Sequence, residues 1–228
     1  MKAQEIIARA REEKRSLLEP EAYAVLAEYG IPVLDHRLAA SPGEASKLAA
    51  EIGFPAAMKV VSPDVIHKSD SGGVKLGIDS PDAAAEAFAA INESVGRSVK
   101  DARIAGVLIV PMASGGVEVI AGMVRDPQFG PAVMFGLGGI FVEILKDVAF
   151  EIAPVSREGA KRLVKSIKGY PLLAGARGSE PCDLESLYSI ITGLSRLSLE
   201  FPEVKEIDLN PVLAGPERSL ALDARILL

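Results

Sequence analysis

The chain has 228 residues, 25 basic against 31 acidic side chains for a formal charge of −6, 49% hydrophobic and 25% charged residues, and a single cysteine. This is the composition of a globular chain long enough for a sizeable core, in one domain or two small lobes. One cysteine excludes an internal disulfide framework and a cysteine-cluster zinc site, and the acidic balance argues against non-specific nucleic-acid binding, which depends on Lys and Arg neutralising phosphates.

The N-terminal residues pass into a charged stretch, Arg9 to Arg15, with no apolar core of a signal peptide. The longest run free of charged or strongly polar side chains, Phe129 to Val142, carries four glycines and a proline and is short of a membrane span. A cytoplasmic protein with no membrane partner is expected. Residues 3–18 read as a helix, with Ile6, Ile7, Ala10, Leu17 and Leu18 near one face. A second helix follows Pro20 and stops at Gly30. Ile31 to Leu34 reads as a short strand. Ser41-Pro42-Gly43-Glu44 is a capping box opening a helix that ends at Gly53. Pro55 to Val61 and Val74 to Ile78 read as strands joined by a polar loop, and Ser80-Pro81 opens a helix to about Val95. Ile104 to Val110 is a strongly apolar strand. Strands are then expected over 117–125, 132–135, 141–146 and 150–153, and helices over 157–168 and 184–200 capped by Ser156 and Asp183. Val204 to Leu209 and Leu220 to Asp223 close the chain as strands. The pattern predicts an α/β (α+β) protein of two lobes, residues 1–110 and 111–228, joined near Val110-Pro111.

Several residues in this frame can carry chemistry. Lys59 sits inside an apolar strand, opposite in facing to Met58 and Val60, and reads either as a snorkelling side chain or as a charge aimed at phosphate. In the loop His67-Lys68-Ser69-Asp70-Ser71-Gly72-Gly73, the glycines permit positive φ and can expose amides to an anion. His67 reads either as a surface residue or as a nucleophile that carries a phosphoryl group. Glu118, alternating with Val117 and Val119, reads as a solvated strand position or as an acceptor for ribose hydroxyls. Asp208 and Asn210 share a face of one strand, with Ile207 and Leu209 on the other; Asp223 repeats this on the last strand, where Ala221 shares its face. Such oxygen donors suit Mg²⁺, which takes few protein ligands and leaves other positions to water and phosphate. Phe135-Gly136-Leu137-Gly138-Gly139-Ile140 lacks the helix and acidic residue of a dinucleotide fingerprint and reads as a glycine turn closely approached by other backbone.

Taken in order, Tyr29 to Val33, Met58 to Pro63, His67 to Val74, Arg125 to Pro131, Phe135 to Glu143 and Glu206 to Val212 resemble the beta subunit of ADP-forming acyl-CoA (acetyl-CoA) synthetases, an ATP-grasp family related to succinyl-CoA synthetase beta subunits. The resemblance covers nearly the whole chain. It implies an ATP-grasp fold with nucleotide bound between two lobes and His67 as the phosphohistidine. It implies Lys59, Gly72 and Gly73 at nucleotide phosphates, Val110 and Met112 in the hinge that reads adenine, and Glu118 at ribose. Asn210 and Asp223, with Asp208 beside them, match magnesium ligands, and the stretch Leu172 to Gly178 makes Arg177 a candidate phosphate contact. The implied cofactors are Mg²⁺ and ATP/ADP, and the implied partner is a CoA-binding alpha subunit in a hetero-oligomer. Two other readings of the same residues are a stand-alone ATP-grasp carboxylate ligase and a non-catalytic nucleotide-binding subunit.

Overall fold

A computed structural model describes residues 2–65, 67–139 and 147–228, with Arg177 described in its backbone alone. The strand expected over 141–146 lies outside the described residues. The chain divides into two units, one spanning Leu34–Ala113 and the other joining the residues up to Val33 to Ser114–Leu228.

Two helices open the chain, α1 (Ala3–Glu12) and α2 (Glu19–Glu28). The first is shorter than its apolar periodicity suggests. Lys14 adopts a φ of +51°, and Arg15 is held by Glu13, by the Ser16 carbonyl and by both carboxylate oxygens of Glu21. Leu17 therefore leaves the helix and donates its N–H to the Ile226 carbonyl at 3.1 Å. Gly30, at φ +74°, ends the second helix as expected. The strand expected over residues 31–34 reduces to one parallel bridge, Val33 with Ala221, beside a 3.0 Å bond from Ala221 N–H to the Pro32 carbonyl. Pro32 has no donor with which to extend a ladder.

In the Leu34–Ala113 unit, β1 (Arg37–Ala39), β2 (Ala56–Val61), β3 (Val74–Ile78) and β4 (Gly106–Pro111) form an antiparallel sheet of order β1-β4-β2-β3. Its helices, α3 (Pro42–Ile52) and α4 (Pro81–Ser98), begin on Ser-Pro, and the Ser41 and Ser80 hydroxyls each accept an N–H three residues on. Glu44 reaches past the cap to the Ala40 N–H at 2.8 Å. The core joins Ala45 and Ala49 of α3, and Phe88, Ile91 and Val95 of α4, to Ala56, Met58, Val60, Val107 and Ile109 of the strands. That alternation leaves Lys59 on the face opposite the helices.

The other unit adds β5 (Val117–Asp126), β6 (Gly130–Leu137), β7 (Val148–Ile152), α5 (Arg157–Ser166), α6 (Tyr170–Leu173), α7 (Leu184–Glu200), β8 (Glu206–Ala214), β9 (Ser219–Ala221) and β10 (Arg225–Leu227). The sheet runs β10-β8-β5-β6-β7 with β9 also on β8, and every pairing is antiparallel. α7 packs on β5 and β6, where Val119, Ala121, Met123, Val133 and Phe135 are buried. β8 runs beyond its expected end at Leu209 because Asn210-Pro211 forms a bulge: its pairing with β5 slips between Val119 and Ala121, and the ladder then resumes. The strand expected over Leu220 to Asp223 ends at Ala221 as β9; Asp223 lies in the bend that follows, and β10 is a further strand beyond the expected one.

The expected division at 110/111 needs two corrections. The boundary falls at Ala113/Ser114, and the first 33 residues group with the C-terminal sheet. The reason is specific bonding: Leu17, Tyr23 and Pro32 each tie to the 221–226 edge.

Arg125 opens one of the family-like stretches, yet its guanidinium donates to the carbonyls of Ser198, Phe201 and Val204 and so closes the C-terminal end of α7. Arg125→Ala is expected to cost about 2–3 kcal/mol by stranding those acceptors, read from urea denaturation; a loss near zero contradicts this role.

Candidate functional site

Lys59 is half-buried on β2, between Leu108 of β4 and Val74 of β3. The loop after β2 holds His67 exposed between two anchors. On one side Val65 is buried in the core, and the Asp64 carboxylate accepts from the N–H (2.9 Å), Nε (3.0 Å) and Nη2 (2.7 Å) of Arg103. On the other side Ser71 is buried, with its hydroxyl 2.9 Å from the Lys68 carbonyl and 3.3 Å from that of His67. His67 borders a shallow depression of about 340 Å³ lined also by Asp64, Asp70, Ser71 and Ser98.

The two glycines differ from expectation. The Gly72 N–H donates to the Ser69 carbonyl at 3.1 Å and the Gly73 N–H to that of Lys68 at 2.7 Å. These amides close the loop on itself instead of facing an anion. Gly72 has φ +69°, and a Cβ on Gly73 would lie 2.5 Å from Val60 Cγ1 and 2.9 Å from the Lys68 oxygen. Glycine is required there because the loop closes directly against β2. Met112 behaves similarly: its N–H donates to the Pro55 carbonyl at 3.0 Å, while its side chain is exposed and its sulfur accepts the Gly77 N–H. Val110 is buried and pairs with Ala57.

In the other unit, Glu118 lies exposed near the start of β5. Its carbonyl accepts the Gly138 N–H at 2.8 Å, and a Cβ on Gly139 would sit 3.0 Å from its Oε2. A Cβ on Gly138 would lie 2.9 Å from the Glu118 carbonyl carbon. The glycine turn is thus the close backbone approach its sequence suggests.

Asp208 and Asn210 project from β8 while Ile207 and Leu209 are buried. Both β9 and β10 pair with β8 in one continuous register, Val212 with Ala221 on one side of the bend and Asp208 with Arg225 on the other. The Leu222 N–H donates to the Pro211 carbonyl at 2.9 Å. Asn210 and Asp223 therefore fall at the same level in the gap. Ala221, expected to share the face of Asp223, is fully buried opposite the equally buried Val212, whereas Asp223 lies past the end of β9. Burial pushes the Asp208 carboxyl up, Glu206 and Asp223 add to this, and Arg225 opposes it. Among the described residues no three His, Cys, Asp or Glu side chains form a metal-binding group. An amide oxygen and a carboxylate at one level, beside a carboxylate crowded by like charge, fit Mg²⁺, which completes its shell with water and phosphate. Arg177 lies in a 3₁₀ turn, Ala176–Gly178, and its side chain lies outside the described residues.

A feature the sequence reading missed stands behind Asp223. Tyr23 of α2 is fully buried, with its hydroxyl 2.8 Å from Glu19 Oε1 and 2.8 Å from the Leu222 carbonyl. The only signal was a Glu and a Tyr four residues apart on a helix face that is otherwise apolar.

The ATP-grasp domain family matches residues 8–228. The acetate–CoA ligase [ADP-forming] I subunit beta of Pyrococcus furiosus is 53% identical over all of this chain and 98% of its own length. The chain belongs to the ATP-grasp family of ADP-forming acetate–CoA ligase beta subunits. Two solved structures of acetyl-coenzyme A synthetase 1 from Candidatus Korarchaeum cryptofilum agree with this. One, in complex with coenzyme A, Ca-AMPCP and HgCl⁺, is 47% identical with a TM-score of 0.95, covering 99% of both chains. The other, with coenzyme A and Mg-AMPPCP and its phosphohistidine segment pointing towards the nucleotide-binding site, is 43% identical with a TM-score of 0.87 over 99% of both chains. The described part of this ATP-grasp chain has no helix long and apolar enough to cross a membrane.

The Arg103 clasp holds the Asp64 carboxyl down at about 2, against an ordinary 3.8. A depressed folded value means the clasp is complete above the unfolded value and is lost as pH falls through the folded one. The Asp64 carboxyl carbon shift in NMR is expected to titrate near pH 2, and Arg103→Ala to return it to the ordinary carboxylate range; an ordinary midpoint in the parent chain contradicts the clasp.

Proposed function

We propose that this chain is the nucleotide-binding subunit of an ADP-forming acyl-CoA synthetase, and that His67 carries the phosphoryl group which converts ADP to ATP. The observation that supports this most is the placing of His67. It is exposed on a loop pinned at Asp64-Val65 and at Ser71-Gly73, so the imidazole is presented to solvent by a fixed frame. The overall reaction is acyl-CoA + ADP + phosphate giving carboxylic acid + CoA + ATP. A CoA-binding alpha subunit forms the acyl phosphate, with cleavage of the thioester C–S bond, and releases the acid as the phosphoryl group passes to histidine. In the last step the N–P bond at His67 breaks, a new P–O bond forms on the β-phosphate of ADP, and the ring nitrogen takes one proton from water.

Phosphoryl transfer asks mainly for positioning and charge neutralisation. Lys59 supplies a point charge for phosphate oxygens. Glu118, steadied through its carbonyl by Gly138, accepts from ribose hydroxyls. The Val110-Pro111-Met112 segment faces the base, with Met112 offering its exposed side chain while its amide serves Pro55 and its sulfur accepts from Gly77. Asn210 and Asp223, with Asp208 beside them, would hold Mg²⁺, which when bound neutralises charge on nucleotide phosphates. Gly72 and Gly73 act by closing the loop. Acyl selectivity lies with the alpha subunit.

Incubation with Mg²⁺ and γ-labelled ATP should give acid-labile label on the parent chain and none on His67→Ala; equal labelling of the two removes the carrier role. Asn210→Ala and Asp223→Ala should each raise the Mg²⁺ needed for half-maximal labelling by about tenfold or more. An unchanged Mg²⁺ dependence in both removes the metal assignment.

A further inference from the structure

Tyr23 is wholly buried on α2, and the proposed chemistry does not use it. Its hydroxyl lies 2.8 Å from Glu19 Oε1, one helical turn earlier, and 2.8 Å from the carbonyl of Leu222, the residue before Asp223. Asp223 stands in the bend between β9 and β10, where the β8 ladder is interrupted. Its Oδ1 accepts the N–H of Ala224 at 2.9 Å, a local bond that turns the carboxylate within the bend. Two further ties flank the bend from the same N-terminal segment, Ala221 N–H to the Pro32 carbonyl and Leu17 N–H to the Ile226 carbonyl.

Within the bend the Leu222 N–H donates to the Pro211 carbonyl, and the Leu222 carbonyl is the group that faces the Tyr23 hydroxyl. The tie from Tyr23 falls inside the bend, at Leu222, while those of Pro32 and Leu17 fall on the strands to either side. We propose that Tyr23 is a positioning residue for Asp223: the bond its hydroxyl proton makes to the Leu222 carbonyl, with Glu19 Oε1 as the competing acceptor, fixes the peptide that aims the Asp223 carboxylate at the level of Asn210. The N-terminal helical pair then acts as a strut for a metal ligand as well as a cover for the sheet. Partners of this kind, one step behind a ligand, set metal affinity through ligand orientation. The inference rests on the assignment of Asp223 as a metal ligand.

The test uses the full chain with saturating ADP and Mn²⁺ as the probe, with bound and free Mn²⁺ read by EPR, and thermal unfolding of the metal-free chain as the companion measurement. Tyr23→Phe keeps the ring and deletes the bond, and is expected to weaken Mn²⁺ binding by about tenfold. In an Asp223→Ala background, Tyr23→Phe should add nothing, because the carboxylate it positions is gone. Unchanged Mn²⁺ affinity in Tyr23→Phe, whatever happens to the unfolding temperature, overturns the proposal, as does a full additional loss in the Asp223→Ala background. If Asp223→Ala alone leaves Mn²⁺ affinity unchanged, the metal assignment itself has failed and the strut role falls with it.

Discussion

The C-terminal unit depends on one strand, β8, and on the interruption along one of its edges. On one side β8 pairs with β5; on the other it pairs with two short strands held in a single register. The break between those strands coincides with the bulge at Asn210-Pro211. A continuous ladder would have turned Asn210 and Asp223 into ordinary strand positions. The gap leaves an amide and a carboxylate at one level, outside the regular pleat. Bulges beside strand ends commonly re-aim side chains in this way.

An edge that is broken must be held by something other than its own ladder. Here that is the N-terminal segment, which bonds to residues 221, 222 and 226 through Pro32, Tyr23 and Leu17. This explains two features that look unrelated: why the first helix stops at Glu12 although apolar residues continue to Leu18, and why residues up to Val33 belong with the far end of the chain. Leu17 is more useful to the sheet edge than to a longer helix, because the Ile226 carbonyl gains a donor there.

The Leu34–Ala113 unit solves a different problem, presenting an exposed histidine from a well-made frame. Alanine-rich faces on α3 and α4 let both helices approach the sheet closely. The loop is then gripped outside the histidine on both sides, by the Asp64–Arg103 clasp and by the Ser71-Gly73 closure against Val60. The glycines matter because a side chain on Gly73 would strike β2 and one on Gly72 would strike Ser94 of α4.

The sequence by itself determined the periodic elements and their punctuation: the Ser-Pro starts of α3 and α4, the Ser156 and Asp183 caps, the stop at Gly30, and the facing of Lys59 against Met58 and Val60. These are local properties, set by capping bonds and by the alternation of a strand. It also singled out Glu118, Asp208, Asn210 and Asp223 as candidates, through their polar types at apolar-flanked positions, and His67 as a candidate in a polar, glycine-ended loop. Only the tertiary structure decided that the Gly72, Gly73 and Met112 amides are spent on internal carbonyls, that Arg125 closes a helix end, and that β8 survives its proline. It alone brought Asp223 level with Asn210 and put Tyr23 behind it. Those outcomes depend on which distant backbone supplies the partner, and a hydrogen bond between residues some two hundred positions apart leaves no periodic trace in the chain.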